Sequence, residues 1–367
     1  MEYPLRLLVT SVGSLVATNL FEGLHRLGRD RFFVVGTSTE SEAAGNYACD
    51  AVVRVPPTLD RQRWAQVLAQ WGEETRPDLW IPTRDDDVCA LAQLAADVRL
   101  PGQAMVGAPS AADLIRDKWL SFRFAIEHGL PVAPSADAPD SALALAGQHG
   151  YPLIVKPRCG YGTRGTRLVF DAGQLGRVFA TGGSWIAQPF LNPAPGWDAD
   201  LPDPSLGMPL WYSYRDPGQY SVVSVIGPTG RVALIGATLN TMVCGRPERS
   251  MRVTDPLLIQ VGRDYAQALA DVGWRGPVNV QCRRLPDGRY LMFELAGRLA
   301  GGLGAREVLG MPDVWQALEA WCPGRIPPPD PLRTSVGAVA VKESHTVPLS
   351  AADIHTFETT GRWNRCS

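Results

Sequence analysis

The sequence predicts a mixed α/β and α+β protein built from three successive parts and a C-terminal tail. Three patterns lead to this expectation. Short apolar runs alternate with amphipathic segments over the first hundred or so residues, a small mixed unit follows, and the chain then contains apolar runs joined by tight turns. We therefore expect a Rossmann-like layer at 1–112, a small α+β subdomain at 113–187, an antiparallel subdomain at 188–330, and a further strand and tail at 331–367.

Composition limits the classes of function to consider. The 367 residues carry a formal net charge of −2, which gives no overall attraction to nucleic acid or to anionic membranes. No apolar run approaches the roughly 20 residues that span a bilayer, and the first ten residues do not resemble a signal peptide. Seven scattered cysteines without a Cys-x-x-Cys pair are typical of reduced thiols. We expect a cytoplasmic protein with small-molecule partners and no nucleic-acid or membrane partner, and we leave a homodimer open.

The N-terminal layer contains three apolar runs that we interpret as parallel strands, at Leu5–Thr10, Phe32–Val35 and Leu79–Pro82. The turn after the first run contains Ser11 and Ser14, at the position where such layers face their ligands. Because this turn lacks Gly-x-Gly-x-x-Gly, a nicotinamide-dependent oxidoreductase is the least favoured function. Ser11 is a candidate substrate contact.

Three consecutive carboxylates, Asp85, Asp86 and Asp87, follow the third strand and open a helix. Acidic residues in a first helical turn interact favourably with the helix dipole, so helix capping is one interpretation. The other interpretation is that one of them, with Asp85 as the candidate, faces a cleft and meets a substrate amine.

In the second part, a helix begins at Asp117-Lys118 and a strand covers Tyr151–Pro157. Lys156 ends this apolar strand just before a turn with glycines at 160, 162 and 165. Glycines allow backbone N–H groups to approach phosphate oxygens, and a lysine supplies a compact positive charge. A flexible hairpin without a ligand has the same composition, and the P-loop pattern Gly-x-x-x-x-Gly-Lys-Ser/Thr is absent.

The most informative stretch is a predicted hairpin around Asp287-Gly288, a pair that is typical of two-residue loops. Such a loop places Gln281 directly opposite Glu294, and Asn279 opposite Ala296 on the same face. A carboxylate beside an amide on an otherwise apolar sheet suits a divalent cation, because Mg²⁺ prefers oxygen ligands and shares them with phosphates. A surface hairpin with a polar outer face is the alternative.

Further elements frame this hairpin. We expect an antiparallel pair of strands at Gln219–Ile226 and Arg231–Thr238. A helix at Leu257–Val272 and a late strand at Ser335–Lys342 should follow. Gly273 directly follows the helix and is a suitable C-terminal stop.

Two other segments are candidates for the substrate site. A basic loop with Arg246, Arg249 and Arg252 suits a carboxylate or phosphate, or is simply solvated. The insertion at 191–217 is rich in Pro, Asp and Trp, and forms either an aromatic, acidic wall or a surface excursion.

In the order and spacing of these motifs, the chain resembles the ATP-grasp superfamily, specifically the branch around carbamoyl-phosphate synthase large-chain domains and amino-acid ligases. The resemblance covers roughly residues 5–310. It rests on Asp117-Lys118, Pro152–Arg158 with the glycine turn after it, Gln188, Gly276–Gln281, Glu294 and Arg298–Gly302.

The resemblance implies a role for each matching residue. ATP would contact Lys118, Lys156, Gly160, Gly162, Thr163, Gly165, Gln188, Pro189, Phe190, Leu191 and Gln219, with the glycine turn as a mobile lid over the phosphates. Mg²⁺, or Mn²⁺, would be held by Gln281 and Glu294. Arg298 and Lys156 would be the catalytic cations. Substrate would contact Arg298 together with the candidates Ser11, Asp85, Arg246, Arg249 and Arg252.

The resemblance also implies the reaction. Such enzymes transfer the γ-phosphate of ATP to a carboxylate, and an amine, thiol or other nucleophile then displaces phosphate from the acyl phosphate. We expect the carboxylate of an amino acid or small metabolite, with ADP and phosphate as products.

The chain departs from the family pattern at three positions. Ala296 stands where a second metal ligand is usual, Gln219 stands where a glutamate is common, and Pro189 stands where an acidic residue is common. Asn279, opposite Ala296, is a candidate to reach the vacant ligand position. The alternative function is a degenerate member of the superfamily that binds nucleotide without catalysis.

Overall fold

The structure is a computed structural model that describes residues 3–160, 162–193, 215–330, 338–343 and 347–365. Within these ranges the chain forms a mostly parallel sheet, a small antiparallel sheet and a large antiparallel sheet, with helices packed against them. The predicted α/β and α+β fold class is confirmed. Of the predicted insertion, residues 194–214 lie outside the described ranges, and in the described part no helix is long and apolar enough to cross a membrane.

The N-terminal layer is a parallel sheet covered by helices on both faces. Its elements are β1 Leu5–Val9, α1 Leu15–Arg26, β2 Phe32–Ser38, β3 Ala51–Arg54, α2 Arg61–Thr75, β4 Leu79–Ile81, α3 Asp85–Asp97, β5 Gln103–Ala104 and α4 Pro109–Arg116. β1 lies between β2 and β4, with Leu7 aligned with Val34 and Leu79. Because both faces are buried, the strands are nearly continuous apolar runs. The carboxyl ends of β1 and β4 meet at one edge, where Ser11 and Asp85 follow them.

The middle subdomain contains the small antiparallel sheet. Its elements are α5 Lys118–Glu127, α6 Pro139–His149, β6 Leu153–Pro157, β7 Arg167–Val169, α7 Ala172–Phe179 and β8 Trp185–Pro189. β6 is the central strand and pairs with both β7 and β8. Lys156 therefore lies near the end of the central strand, and β8 leads out of the subdomain at Gln188.

The C-terminal subdomain contains the large sheet, in the strand order β13-β12-β9-β10-β11-β14 within the described ranges. Its elements are β9 Arg215–Ile226, β10 Val232–Val243, β11 Arg246–Val253, α8 Pro256–Asp271, β12 Gly276–Arg284, β13 Tyr290–Ala296, α9 Leu303–Val308, α10 Asp313–Trp321 and β14 Val339–Val341. α8 packs so closely on the sheet that a Cβ at Gly262 would lie 2.2 Å from Val222 Cγ1. The helix covers the apolar face, which leaves Ser221, Asn279 and Gln281 on the opposite, polar face.

Local signals begin and end the helices where the sequence indicates. Ser14 caps α1 by accepting a hydrogen bond from the Ala17 N–H, and Asp117 caps α5. Gly273, with φ of +89°, follows α8 and turns the chain into β12. The predicted start of α5 and the predicted stop of α8 are therefore confirmed.

The turn of the β12–β13 hairpin differs from the predicted one. Leu285 N–H donates to the Arg289 carbonyl, so the loop has three residues, Pro286, Asp287 and Gly288, and the predicted two-residue loop is wrong. Pro286 has no N–H to offer the strand ladder. Gly288 takes the left-handed conformation, with φ of +89°, that closes three-residue loops.

The predicted pairing across this hairpin is nevertheless confirmed. Gln281 pairs with Glu294, and Asn279 pairs with Ala296. A β-bulge next to Gln281 leaves Phe293 out of the register and compensates for the extra loop residue. Without the bulge, Phe293 would lie opposite Gln281, and the carboxylate of Glu294 would point to the other face.

The segment predicted as a basic loop is the strand β11. Its turn is Cys244-Gly245, and the residues after it pair with β10 and β14. The predicted loop is wrong because the three arginines are spaced three positions apart and so do not show the period of two that marks a strand. The side chains of Arg246 and Arg252 are exposed, whereas that of Arg249 is partly buried.

The C-terminal tail returns to the N-terminal layer, which the sequence did not predict. The helix α11 Ala351–Thr360 and the strand β15 Arg362–Asn364 follow β14. β15 pairs antiparallel with β3, with Trp363 opposite Val52, and Phe357 is fully buried. The predicted late strand is confirmed at Val339–Val341, while residues 331–337 lie outside the described ranges.

A buried ionic cluster joins α9, α10 and β10. Arg306 Nε donates to Asp313 Oδ2 at 2.6 Å, and its Nη2 donates to the Gly236 carbonyl at 3.1 Å. Glu307 accepts a hydrogen bond from the Val314 N–H. Burial raises the pKa of Glu307 to about 7, an effect that the Val314 hydrogen bond opposes and that the Asp313 charge reinforces.

We predict that Glu307→Gln changes how stability depends on pH. The folded protein binds the Glu307 proton more tightly than the unfolded chain does, so this group stabilises the fold below about pH 4.5 and loses its contribution as pH rises to about 7. Between pH 5 and 8, the unfolding free energy of the wild type should fall relative to that of Glu307→Gln by about 2 kcal/mol. Urea denaturation of both proteins at several pH values measures this difference, and parallel curves would contradict the prediction.

Candidate functional site

A cleft opens between the middle subdomain and the polar face of the C-terminal sheet. Most of the residues predicted to bind ATP line it, namely Lys118, Lys156, Gly160, Gly162, Thr163, Gln188, Pro189, Phe190, Leu191 and Gln219. The predicted metal ligands Asn279, Gln281 and Glu294 line it too, as does Arg298. Residues from distant parts of the sequence thus meet in one place.

Lys156 joins the two sheets that form the cleft. Its side chain is buried, and Nζ donates to the Phe293 carbonyl at 3.1 Å and lies 3.5 Å from Glu294 Oε2. The pKa of Lys156 is lowered to about 8, mainly by burial. The Glu294 charge opposes this effect, and the Lys118 charge reinforces it. The ammonium group is therefore still charged at neutral pH, and its position is set by two contacts on β13.

Lys118 enters the cleft from the first turn of α5. Asp117 caps that helix and is held by Arg158 through Nε and Nη2, at 3.1 and 2.7 Å. Although burial raises the pKa of Asp117, the Arg158 hydrogen bonds outweigh this effect and hold the pKa below its ordinary value. Lys118 Nζ donates to the Gly160 carbonyl at 3.0 Å, which ties the start of the glycine turn to this rigid helix end.

Glu294 lies among three cations. Burial raises the pKa of its carboxyl group, but the charges of Lys118, Lys156 and Arg298 outweigh burial and hold the pKa below its ordinary value. Glu294 is therefore ionised at neutral pH. Among the described residues that line the cleft, the other carboxylate is Asp216, which is paired with Arg283.

Three amide side chains lie next to Glu294. Gln219 Nε2 donates to Gln281 Oε1 at 2.6 Å, which orients the Gln281 amide and leaves its oxygen a second lone pair. Asn279 is 6% exposed, and its Oδ1 has no hydrogen-bond partner within the described part of the chain. Carboxylate and amide oxygens are the ligands that Mg²⁺ takes in proteins, so this donor set fits the implied metal.

The glycine turn lies close to the β10–β11 turn on the opposite wall of the cleft. A Cβ added to Gly245 would lie 2.6 Å from Thr163 Oγ1 and 3.1 Å from the Gly162 carbonyl carbon. Gly245 also has a φ of +73°, which disfavours any other residue. Gly165 does not line the cleft, but its φ of +75° reverses the chain after the turn. The turn therefore covers the cleft and contacts the wall opposite Lys118.

The hinge at 188–191, whose residues the resemblance implies as ATP contacts, forms one end of the cleft. Gln188 donates from Nε2 to Ser135 Oγ at 2.9 Å, which holds its side chain against the middle subdomain. The Phe190 N–H donates to the Pro152 carbonyl at 3.3 Å, so this amide is already used within the protein. The hinge thus presents an apolar wall of Pro189 and Leu191 to the cleft.

Arg298 connects the cleft to the N-terminal layer. Its Nε and Nη2 atoms each lie 3.3 Å from a carboxylate oxygen of Asp85, in the first turn of α3. Asp86 pairs instead with Arg116, and the residue at the cap position of α3 is Arg84. Asp85 therefore contacts the site through Arg298 and does not itself line the cleft.

The remaining substrate candidates lie away from the cleft lining. The turn after β1 has its own hydrogen bonds, in which the Ser11 N–H donates to Thr37 Oγ1 and Ser14 Oγ donates to Thr83 Oγ1. Ser11 and the three candidate arginines of β11, Arg246, Arg249 and Arg252, are not among the lining residues.

The structure adds functional candidates that sequence reasoning missed. Arg283 and Asp216 pair at one side of the cleft, and Arg306 reaches its far end. Asn240 lies on the cleft floor between Ser221 and Ser250, to which its amide is hydrogen-bonded. No local motif marks these residues, because their shared position depends on the order of strands in the large sheet.

Comparisons with known proteins agree with this arrangement. Residues 117–192 match the family model described as the carbamoyl-phosphate synthase L chain, ATP binding domain. The chain is 32% identical over 90 residues to the biotin carboxylase of Pseudomonas aeruginosa, a stretch that covers 23% of this chain and 20% of that protein. Across the curated relatives, the matched stretches span between 8% and 24% of the relative's length.

Solved structures resemble the whole fold. The biotin carboxylase domain of 2-oxoglutarate carboxylase from Hydrogenobacter thermophilus, in complex with MgADP and bicarbonate, has a TM-score of 0.64 and 14% identity, over 92% of this chain and 72% of that chain. L-amino acid ligase from Bacillus licheniformis has a TM-score of 0.61 and 16% identity, over 88% of this chain and 75% of that chain. The predicted resemblance to the ATP-grasp superfamily is confirmed, and the chain has the ATP-grasp fold.

We predict that Gly245→Ala displaces the glycine turn and weakens nucleotide binding. The added methyl group meets Thr163 Oγ1, and a residue with a side chain at this φ costs about 1 kcal/mol. We expect a loss of ADP affinity of about tenfold, equivalent to 1.4 kcal/mol, together with faster hydrogen exchange at 160–165.

Gly182→Ala is the matched control. Gly182 has a similar φ of +77°, but nothing lies within 4 Å of an added Cβ. It should lose comparable stability and keep its ADP affinity. Equal affinities for ADP in the two variants would show that contact with Gly245 does not position the turn.

Proposed function

We propose that this protein is an ATP-dependent ligase that activates a carboxylate as an acyl phosphate and joins it to an amine or another nucleophile, releasing ADP and phosphate. The observation that carries this proposal is the arrangement of Lys118, Lys156 and Arg298 around Glu294 beneath a glycine-rich turn. Several cations in a covered cleft suit the charge of a nucleotide's phosphates better than that of one carboxylate. The names of the similar proteins, which include carboxylases and an amino-acid ligase, support the same chemistry.

In the first step, a carboxylate oxygen of the substrate attacks the γ-phosphorus of ATP. The bond from that phosphorus to the β–γ bridging oxygen breaks, and ADP leaves with the electron pair. Lys118 and Lys156, each anchored on a backbone carbonyl, would hold phosphate oxygens in place. Arg298 would offset charge on the transferring phosphoryl group, so the step requires positioning and charge but no side-chain nucleophile.

In the second step, the amine attacks the carbonyl carbon of the acyl phosphate. The carbon–oxygen bond to phosphate breaks, phosphate leaves with the electron pair, and the nitrogen loses a proton to solvent. Asp85 would keep the Arg298 guanidinium aimed at the reacting groups. The glycine turn would exclude water, which otherwise hydrolyses the intermediate.

Residues of the large sheet would hold a metal ion. Mg²⁺, or Mn²⁺, when bound to the nucleotide would lower the charge on its phosphate oxygens. Glu294 and Gln281 would supply protein oxygens to it from the bulged hairpin. In this proposal, the subdomain at 113–187 carries the lid, and 188–330 carries the metal-binding and phosphoryl-transfer residues.

A carboxylase is the second candidate function, because two of the similar proteins are named as carboxylases and one is bound to bicarbonate. Bicarbonate would then take the place of the organic carboxylate in the first step. A non-catalytic nucleotide-binding protein is the third candidate, since Ala296 lies opposite Asn279 where a ligand is usual.

We predict that the protein releases phosphate from ATP and Mg²⁺ only when a suitable acid is present. The test measures ADP and phosphate release against pooled amino acids, pooled small carboxylates with amines, and bicarbonate. Release with an organic acid supports the ligase, and release with bicarbonate alone supports the carboxylase. ADP binding without release in any pool would favour the non-catalytic protein, and binding of a nicotinamide nucleotide in place of ATP would favour an oxidoreductase.

We predict that Glu294→Gln lowers substrate-dependent phosphate release by about 100-fold or more, because it removes the carboxylate charge that lies beside Lys156 and opposite Gln281 in the cleft. Lys156→Ala should have a similar effect through the loss of a phosphate contact. Circular dichroism and thermal unfolding check that both variants fold. Glu127→Gln, with a 61% exposed side chain, is the control. Full activity of Glu294→Gln would rule out its assignment as a metal ligand.

A further inference from the structure

Asn279 lines the cleft and carries an amide oxygen that has no hydrogen-bond partner among the described residues. The residue is 6% exposed. A buried carbonyl oxygen without a donor is unfavourable, so native proteins normally supply it with a donor, a water or an ion. The neighbouring groups indicate which of these three partners would contact the Asn279 oxygen.

The hairpin places this oxygen beside the predicted metal ligands. Asn279 lies two positions before Gln281 on β12, so both side chains project from one face. Directly opposite Asn279 is Ala296, whose methyl group leaves room and offers neither a donor nor a ligand. Glu294 lies two positions before Ala296 and shares this face, so two amide oxygens and one carboxylate face a common volume.

A cation fits this volume better than an anion or a hydrogen-bond donor of the protein. The ammonium groups of Lys118 and Lys156 donate to the carbonyls of Gly160 and Phe293, and no group among the described residues donates to the Asn279 oxygen. Phosphate oxygens would repel the Asn279 oxygen, since both are acceptors. Oxygen ligands of this kind are those of Mg²⁺ and Mn²⁺.

The charges around the cleft limit the number of cations. Its described lining contains six basic side chains, Lys118, Lys156, Arg164, Arg283, Arg298 and Arg306, and two acidic ones, Asp216 and Glu294. Asp216 is paired with Arg283, and the described residues contain no group of three His, Cys, Asp or Glu side chains suited to a metal. One carboxylate and two amides supply ligands for one divalent cation, and a second cation would lack a carboxylate.

We propose that Asn279 supplies, from the opposite strand, the ligand that Ala296 lacks, so that Glu294, Gln281 and Asn279 hold a single divalent cation against the nucleotide phosphates. This inference rests on the proposed nucleotide-binding function. It explains how a chain without the usual second ligand retains a metal-dependent site. In this arrangement the ligand lies across the hairpin, on the residue that faces Ala296.

The test measures how strongly Mg²⁺ increases the affinity for ADP. Fluorescence or calorimetric titrations give the dissociation constant of ADP with and without Mg²⁺, and their ratio is the coupling between metal and nucleotide. Asn279→Ala should reduce this ratio by about tenfold or more. Because the ratio is taken within each variant, a change in the metal-free affinity for ADP does not affect it. The double variant Asn279→Ala with Ala296→Asn, which places the amide on the opposite strand, should restore the ratio.

Asn46→Ala is the matched control. Asn46 is also a buried asparagine whose Oδ1 has no partner in the described part of the chain, but it lies in the N-terminal layer away from the cleft lining. It should keep the wild-type coupling. Titration of the ADP complex with Mn²⁺, followed by electron paramagnetic resonance, should give one protein-bound ion per chain.

The outcomes separate this inference from the function on which it rests. Three results would overturn the inference while nucleotide binding stands. They are wild-type coupling in Asn279→Ala, a folded double variant that does not restore the coupling, and two bound Mn²⁺ ions per chain. A wild-type protein that binds no ADP, with or without Mg²⁺, would overturn the proposed function itself.

Discussion

The ammonium group of Lys156 lies where the two antiparallel sheets of the molecule meet. It donates to the Phe293 carbonyl and lies beside the Glu294 carboxylate, so one strand end of the middle subdomain is held by two adjacent residues of β13. This contact depends on the β-bulge, which takes Phe293 out of the register and turns Glu294 toward Gln281. If the bulge were absent, the carboxylate would leave the cleft, and Lys156 would be a buried cation without a counter-charge.

The same geometry explains the electrostatics of the cleft. Lys118, Lys156 and Arg298 act together on one carboxylate, Glu294, so the site keeps an excess of positive charge that burial alone would disfavour. Each lysine is held by a backbone carbonyl and therefore needs no second carboxylate in the protein. This excess of positive charge favours an anionic ligand in the cleft.

Contacts with the N-terminal layer place the remaining cation. Asp85, which follows β4, pairs with Arg298. Asn19 of α1 donates to the Gly301 carbonyl at 2.8 Å and accepts a hydrogen bond from Lys342 Nζ at 3.0 Å. The segment after β13 is thus fixed from two sides by residues that do not line the cleft. The parallel layer therefore shapes the site by positioning Arg298.

Much of this protein was determined by its sequence alone. Local patterns were sufficient for the parallel strands, the start of α5 at Asp117-Lys118 and the stop at Gly273, because each depends on neighbours in the chain. The resemblance to the ATP-grasp superfamily, and not a local pattern, implied most of the residues from Lys118 to Arg298 that meet in the cleft. The sequence did not reveal the three-residue loop and the bulge at Phe293, whose effects on the Gln281–Glu294 pairing cancel. Nor did it reveal that β11 is a strand or that β15 returns to the N-terminal sheet. Only the tertiary structure decided these features, together with the partnerless oxygen of Asn279 and the pairing of Arg298 with Asp85, because they depend on contacts between segments that are distant in sequence.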